Sequence, residues 1–412
     1  MIKYPQSLDT IFNKLYKHNI KPVIVGGYIR DVILNIPSND IDIELYGIAS
    51  LDEVEELLQE FGDVNSVGKS FGVCKVFYND LDLDFSLPRQ DNKIASGHQG
   101  FKITVNTNLD FKTAASRRDF TINAIGYDVK NKKILDPYHG REDLDKKILK
   151  AVDNEKFAED PLRVLRAIVF VSRFDMKLDK SLEFTCKHMI QNKLLDELPK
   201  ERIFQEIKKL LLKSDNPSRG FYLLKDLGAF SFFQEFNTLD EKEYTEILSA
   251  LQKLKTFEIT CDKEFVILAL AVITSKFSDI QTQTFLNRIT SEKIINKKVF
   301  LLHQIHFNLE KFSDYDIYTL AKKIDIEFYS YYLHVTQNKK EKVEYLLKQA
   351  KKLNVLHEPI PPLIQGKDLI KLGIQPSKEF SKILEYAYEA QIKNSFLNKK
   401  DAISWLKKNL LS

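Results

Sequence analysis

A chain of 412 residues, 43% hydrophobic and 29% charged, has the composition of ordinary globular domains and the length for at least two of them. Its three cysteines, Cys74, Cys186 and Cys261, are odd in number and far apart, which excludes a disulfide framework and any zinc-ligand spacing. The net charge of +4 is unevenly divided: residues 1–150 carry 20 Lys and Arg against 22 Asp and Glu, the remainder 42 against 36, as suits a cation-binding head and a part that holds a polyanion.

The first residues lack the apolar core of a signal peptide, and no run approaches membrane-spanning length, so the expected location is cytoplasmic, with no membrane partner. Val23 to Val25 reads as a strand running into Gly26 and Gly27, and a short amphipathic helix opens at Tyr28 to Asp31 and closes near Pro37. A Gly-Gly turn before a helix offers backbone N–H groups to a phosphate. Asp40, Asp42 and Glu44 then alternate with Ile41, Ile43 and Leu45, so the carboxylates share one face of a strand and the aliphatics the other. Acids crowded on one face repel unless a cation sits among them. A second such strand spans Leu81 to Leu87; beside the first it brings Asp84 up as a third carboxylate, with Asp82 facing solvent. Hard oxygen ligands of this kind suit Mg²⁺, which takes its remaining ligands from water and substrate phosphates.

Residues 88–106 are polar and glycine-containing, with Arg89, Asp91, Lys93 and His98, and end in the strand-like stretch FKITVN. Arg117 and Arg118 are paired cations able to grip phosphates; Asp119 can accept a ribose hydroxyl, and Asn123 lies four residues on. From Asp153 the pattern turns to long helical periods, and between Ala229 and Glu358 there is neither Gly nor Pro. Asp160 and Arg163, three apart on a helix, can face one base. Cytosine and adenine both offer an exocyclic amine beside a ring-nitrogen acceptor, which a carboxylate and a guanidinium match; uracil and guanine do not. Arg166, one turn on, reads as support. A connector from His357 to Gly366 precedes a last helical cluster. Taken singly, each motif has a plainer reading: a tight turn, a wet strand face, an Arg–Asp pair at a helix start, an i, i+3 salt bridge.

In series the motifs say more. GGYIRD, NDIDIE, SRRDFTINAI, ILDPYHGREDL, AEDPLRVLRA and KERIFQE follow the order of the class II tRNA nucleotidyltransferases, which include CCA-adding enzymes and bacterial poly(A) polymerases. The resemblance spans roughly residues 20–210, and the segment from Pro362 to Lys408 also looks like the tail of bacterial CCA-adding enzymes. It implies an α+β fold: a nucleotidyltransferase-type mixed-sheet catalytic head at 1–150, then an all-α neck at 151–215, body at 216–356 and tRNA-binding tail at 357–412. It further implies that Asp40 and Asp42 bind two Mg²⁺ ions with Asp84 as third catalytic carboxylate. Gly26, Gly27 and Arg30 would then lie at the triphosphate, and Arg117, Arg118, Asp119 and Asn123 at the nucleotide and its ribose. Asp160 and Arg163 would read the base with Arg166 behind them, and Arg89 and Asp91 would sit on the mobile loop that helps switch from C to A. Asp136 fits a head–neck hinge; Glu201, Arg202 and Glu206 fit a scaffold for the reading helix; Glu44 is left a bystander. The implied substrates are CTP, ATP and the tRNA 3′ end. A partial enzyme adding only CC or only A, a poly(A) polymerase, and an inactive RNA-binding protein are the alternatives.

Overall fold

The computed structural model describes residues 2–65, 72–93, 101–105 and 109–410. It divides into two compact units, residues 1–240 with 283–291, and residues 241–282 with 292–412.

The first unit opens with α1 (Leu8–Lys17), whose Leu8, Ile11, Phe12 and Leu15 make one buried stripe. Strand β1 (Lys21–Val25), helix α2 (Gly27–Ile33) and strand β2 (Asp40–Tyr46) follow. Next come α3 (Leu51–Leu58), β3 (Val64–Asn65), β4 (Val73–Tyr78) and β5 (Leu81–Ser86). Then come β6 (Arg89–Lys93), β7 (Phe101–Val105), the short α4 (Phe111–Ala115), β8 (Gly126–Asp128) and β9 (Lys133–Leu135). Among the described residues the main sheet has seven strands in the order β3-β4-β5-β2-β1-β8-β9. Only the β2–β5 pairing in it is parallel.

Alternation decides which way this sheet faces. Ile41, Ile43 and Leu45 of β2 are wholly enclosed, as are Leu83 and Phe85 of β5, so the intervening acids turn to the opposite face. Asp42 then lies opposite Asp84, and Asp40 opposite Asp82.

Helices α5 (Gly140–Asp145), α6 (Asn154–Phe157), α7 (Leu162–Phe174), α8 (Lys180–Gln191), α9 (Lys200–Lys213) and α10 (Pro217–Asp226) complete most of this unit. Helix α7 is buried on nearly every side and packs on α9 and α10. Asp136, expected at a hinge, accepts the amides of Gly140 (2.7 Å) and Arg141 (3.1 Å) at the start of α5.

In the second unit the stretch free of Gly and Pro forms successive helices, among them Glu241–Leu254, Asp262–Ile273, Lys293–Gln304 and Lys340–Lys352. Beyond the proline-rich connector, helices Gly366–Lys371, Lys378–Ile392 and Lys399–Leu410 gather around Leu369, Ala387, Phe396 and Leu406. The Gln391 side chain ties the connector down by accepting from the Leu363 amide and donating to the Pro361 carbonyl. Among the described residues no helix is long and apolar enough to cross a membrane.

A Cβ added at Gly140 would stand 2.2 Å from the Thr121 carbonyl oxygen. Gly140→Ala is therefore expected to displace the turn Thr121–Asn123 and cost about 2 kcal/mol, read as a lowered urea midpoint.

Candidate active site

The acids of β2 run from solvent into the protein. Asp40 is exposed, Asp42 half-buried and Glu44 wholly buried. Burial, and then the Asp84 charge, raises the Asp40 carboxyl above its usual range. Burial does the same to Asp42, reinforced by Asp40, Asp84 and Glu44 and opposed by Arg118. This mutual repulsion is what a cation would relieve, so Asp40 and Asp42 fit the hard-oxygen half of a Mg²⁺ site whose other ligands come from phosphates and water. The third member behaves differently. Lys75 Nζ donates to both Asp84 oxygens, at 2.8 and 2.7 Å. Among the described residues no trio of His, Cys, Asp or Glu side chains gathers closely enough to hold a metal, so the expected three-carboxylate cage is not closed.

Gly26 has φ +75°, and a Cβ there would lie 2.5 Å from Arg118 Nη1 and 3.1 Å from Asp42 Oδ2. Glycine is needed at this point both for the backbone and for the space. Its N–H, expected to face a phosphate, donates instead to the Ile125 carbonyl at 3.0 Å. A Cβ on Gly27 would meet only an ordinary contact, Arg30 Nη2 at 3.5 Å.

Glu44 is no bystander. Arg117 Nη2 donates to its Oε1 at 3.0 Å and Arg118 Nη2 to the same oxygen at 3.4 Å, while Tyr46 Oη donates to Oε2 at 3.0 Å. Burial opposes charging this carboxyl, but the Arg118 and Arg117 guanidiniums outweigh it and hold it below the usual Glu range. The arginine pair is thereby fixed beside Asp42 and Gly26.

Arg30, expected at the triphosphate, is buried instead. It pairs with Asp31 through Nη2 at 2.6 Å, donates to Asn123 Oδ1 at 2.6 Å, and stacks its guanidinium over Phe170 and Phe174 of α7. Asn123 in turn donates to Asp119 Oδ1 at 2.8 Å, and Arg166 Nη2 meets Asp119 Oδ2 at 2.6 Å. Phe120 N also donates to Asp119 Oδ1. With 7% exposure and both oxygens engaged, Asp119 has no free face for a ribose; it and Asn123 join the glycine turn to α7.

Asp160 precedes α7 rather than lying on it: its Oδ1 accepts from Leu162 N (3.1 Å) and its Oδ2 from Arg202 Nη2 (3.1 Å). Arg163 donates to the carbonyls of Lys156 (2.8 Å) and Arg117 (2.9 Å). Arg163 is thus tied to the backbone of the arginine pair, and Asp160 to Arg202 of α9. Arg89 and Asp91 lie not on a loop but on β6, which pairs antiparallel with β7, Asp91 opposite Ile103. His98 lies outside the described residues.

Sequence reasoning passed over Lys75, although a signal was present. Asn79 and Asp80 both have positive φ and close a two-residue hairpin with Tyr78 opposite Leu81, which sets Lys75 opposite Asp84.

Residues 23–150 match the family profile of the poly A polymerase head domain. Residues 175–239 match the "Probable RNA and SrmB-binding site of polymerase A", and residues 259–406 a tRNA nucleotidyltransferase domain 2. The multifunctional CCA protein of Laribacter hongkongensis is 34% identical over 212 residues, 52% of this chain and 50% of its own length, so the chain matches about half of that relative. The CCA-adding enzyme of Lactococcus lactis subsp. cremoris is 28% identical across 95% of this chain and 93% of its own. A CCA-adding enzyme solved in complex with CTP shares the fold, with a TM-score of 0.72 at 20% identity, covering 99% of this chain and 97% of that one.

Burial opposes the charge on Asp119, but Arg166 and the Asn123 bond hold its pKa below the usual Asp range. A depressed folded pKa contributes stability that is complete above the ordinary Asp value and lost as pH falls through the lowered one. Asp119→Asn is expected to cost about 3 kcal/mol at neutral pH. Urea midpoints should show that gap full at pH 6–8 and shrinking below about pH 4.

Proposed function

The chain belongs to the class II tRNA nucleotidyltransferase family, that of the CCA-adding enzymes, and on that premise we propose that it adds CMP and AMP to the 3′ end of tRNA from CTP and ATP. Arg163 bonded to the carbonyl of Arg117 is the observation that carries this reading, because it couples a base-selecting pair to a phosphate-binding one. We assign catalysis to residues 1–150, base reading to 151–215, and the holding of folded RNA to 216–356 and 357–412, in the cytoplasm where tRNA is repaired or completed.

Head domains of this family work with divalent metal ions, and here Mg²⁺ would be held by Asp40 and Asp42, with Asp84 available to it. Bound there, it would supply activation of the RNA hydroxyl and neutralisation of the triphosphate. The 3′-oxygen bonds to the α-phosphorus, the α–β anhydride breaks, pyrophosphate leaves with its electrons, and the hydroxyl proton passes to solvent. Phosphoryl transfer asks mainly for positioning and charge. Arg118, fixed by Glu44 beside Asp42 and Gly26, supplies a cation at the nucleotide phosphates. Asp160 accepts from the exocyclic amine of C or A while Arg163 donates to the ring nitrogen. Arg202 and the two carbonyls that hold this pair keep both side chains in register before a base arrives, which lowers the ordering cost of binding. Arg30, Asp119, Asn123 and Arg166 are positioning residues in this account; Gly26 clears space for Arg118.

The test is incubation with tRNAs lacking CCA, CA or the final A, supplying CTP and ATP separately, followed by sequencing of the ends. Ordered C, C, A addition is expected; open-ended A tails on unrelated RNA would overturn it in favour of polyadenylation. Asp42→Ala should lower incorporation on the order of a thousandfold. Asp160→Ala should weaken discrimination against UTP by roughly a hundredfold, the worth of one hydrogen bond to a charged group, and unchanged selectivity would sink the base-reading argument.

A further inference from the structure

Across the sheet, Asp42, Asp84 and Lys75 form one row on neighbouring strands β2, β5 and β4. Their side chains share the carboxylate face, because adjacent partners in a sheet point the same way. We propose that Lys75 is a built-in counter-ion that occupies Asp84 in the metal-free head and yields it when a divalent cation binds Asp40 and Asp42. This rests on the reading of those three aspartates as cation ligands.

The geometry suits a placeholder. The ammonium meets both Asp84 oxygens at 2.8 and 2.7 Å, so in the free head it balances the charge that would otherwise add to the repulsion among the acids. The pair is also weak by position: the Lys75 side chain is 58% exposed and that of Asp84 22%. Ion pairs in such surroundings contribute little net stability, so a dication brought to the same face can displace the ammonium into solvent. Glu44, on the same face, shows the opposite design. Its arginine partners are 20% and 15% exposed and its own side chain is fully enclosed, so that pairing is fixed. One face thus carries one permanent and one exchangeable counter-ion.

Mn²⁺ titration of the Mg²⁺-free full chain, followed by electron paramagnetic resonance, tests this without any turnover. Lys75→Met is expected to bind Mn²⁺ about fivefold more tightly, the worth of an exposed ion pair that no longer has to be given up before Asp84 meets the ion. Lys75→Arg, which keeps the pair, should stay near wild type. On an Asp84→Asn background the Lys75→Met gain should vanish, since there is no longer a carboxylate to release. An unchanged affinity for Lys75→Met, or an equal gain with Asp84→Asn, would overturn the proposal. So would absence of Mn²⁺ binding by the wild-type chain. A chain that shows the expected pattern but extends no tRNA supports the counter-ion role and unseats the tRNA reading, so the two fail separately.

Discussion

A carboxylate that is wholly enclosed stays ionised only if cations are enclosed with it, and Glu44 meets that condition with two arginines at once. Much of the candidate site hangs on this cluster. Because Glu44 sits two residues from Asp42 on the same strand face, the guanidiniums it holds are delivered to the edge of the carboxylate row. Arg118 then occupies the space that Gly26 leaves open, and the backbone of Arg117 provides a carbonyl for Arg163. The arginine pair, the acid row of β2 and Arg163 therefore share a single anchor.

A second buried network links the helix after the glycine turn to α7. It runs from Asp31 through Arg30, Asn123 and Asp119 to Arg166, every link a hydrogen bond between side chains. Such a chain is costly to bury and tolerates no missing member, because a lone charge left inside pays the full desolvation penalty. The contact of Arg30 with the Phe170 and Phe174 rings gives its buried guanidinium aromatic partners, 5.1 and 4.7 Å from the ring centroids. The residues of the GGYIRD and RRDFTIN motifs thus spend many of their polar groups on one another.

Much of the head was legible because its signals are local. Alternation in DIDIELY and LDLDFS names the buried and exposed faces without knowledge of the neighbours, and Gly26 marks a point of positive φ. What local pattern could not weigh was competition for the same donors and acceptors. Arg30 looked like a phosphate ligand because a cation beside a glycine turn is usually exposed, but α7, more than a hundred residues on, covers it. After Leu87 the stretch FKITVN was legible as a strand but its partner was not: Arg89–Lys93 pairs with Phe101–Val105, because backbone bonding between antiparallel strands does not require apolar alternation.

The sequence by itself determined that this chain has a mixed-sheet head carrying aligned acids, a helical remainder, and the ordered motifs of one nucleotidyltransferase family. Those features follow from side-chain period and from residues close in the chain. Only the tertiary structure decided which charges are spent and which are free. Glu44 is consumed by Arg117 and Arg118, Asp119 by Arg166, and Asp84 is held by Lys75, while burial and neighbouring acids push the Asp40 and Asp42 carboxyls up. The reason is that a charge finds its partner through space, across strands and helices that the linear order keeps apart.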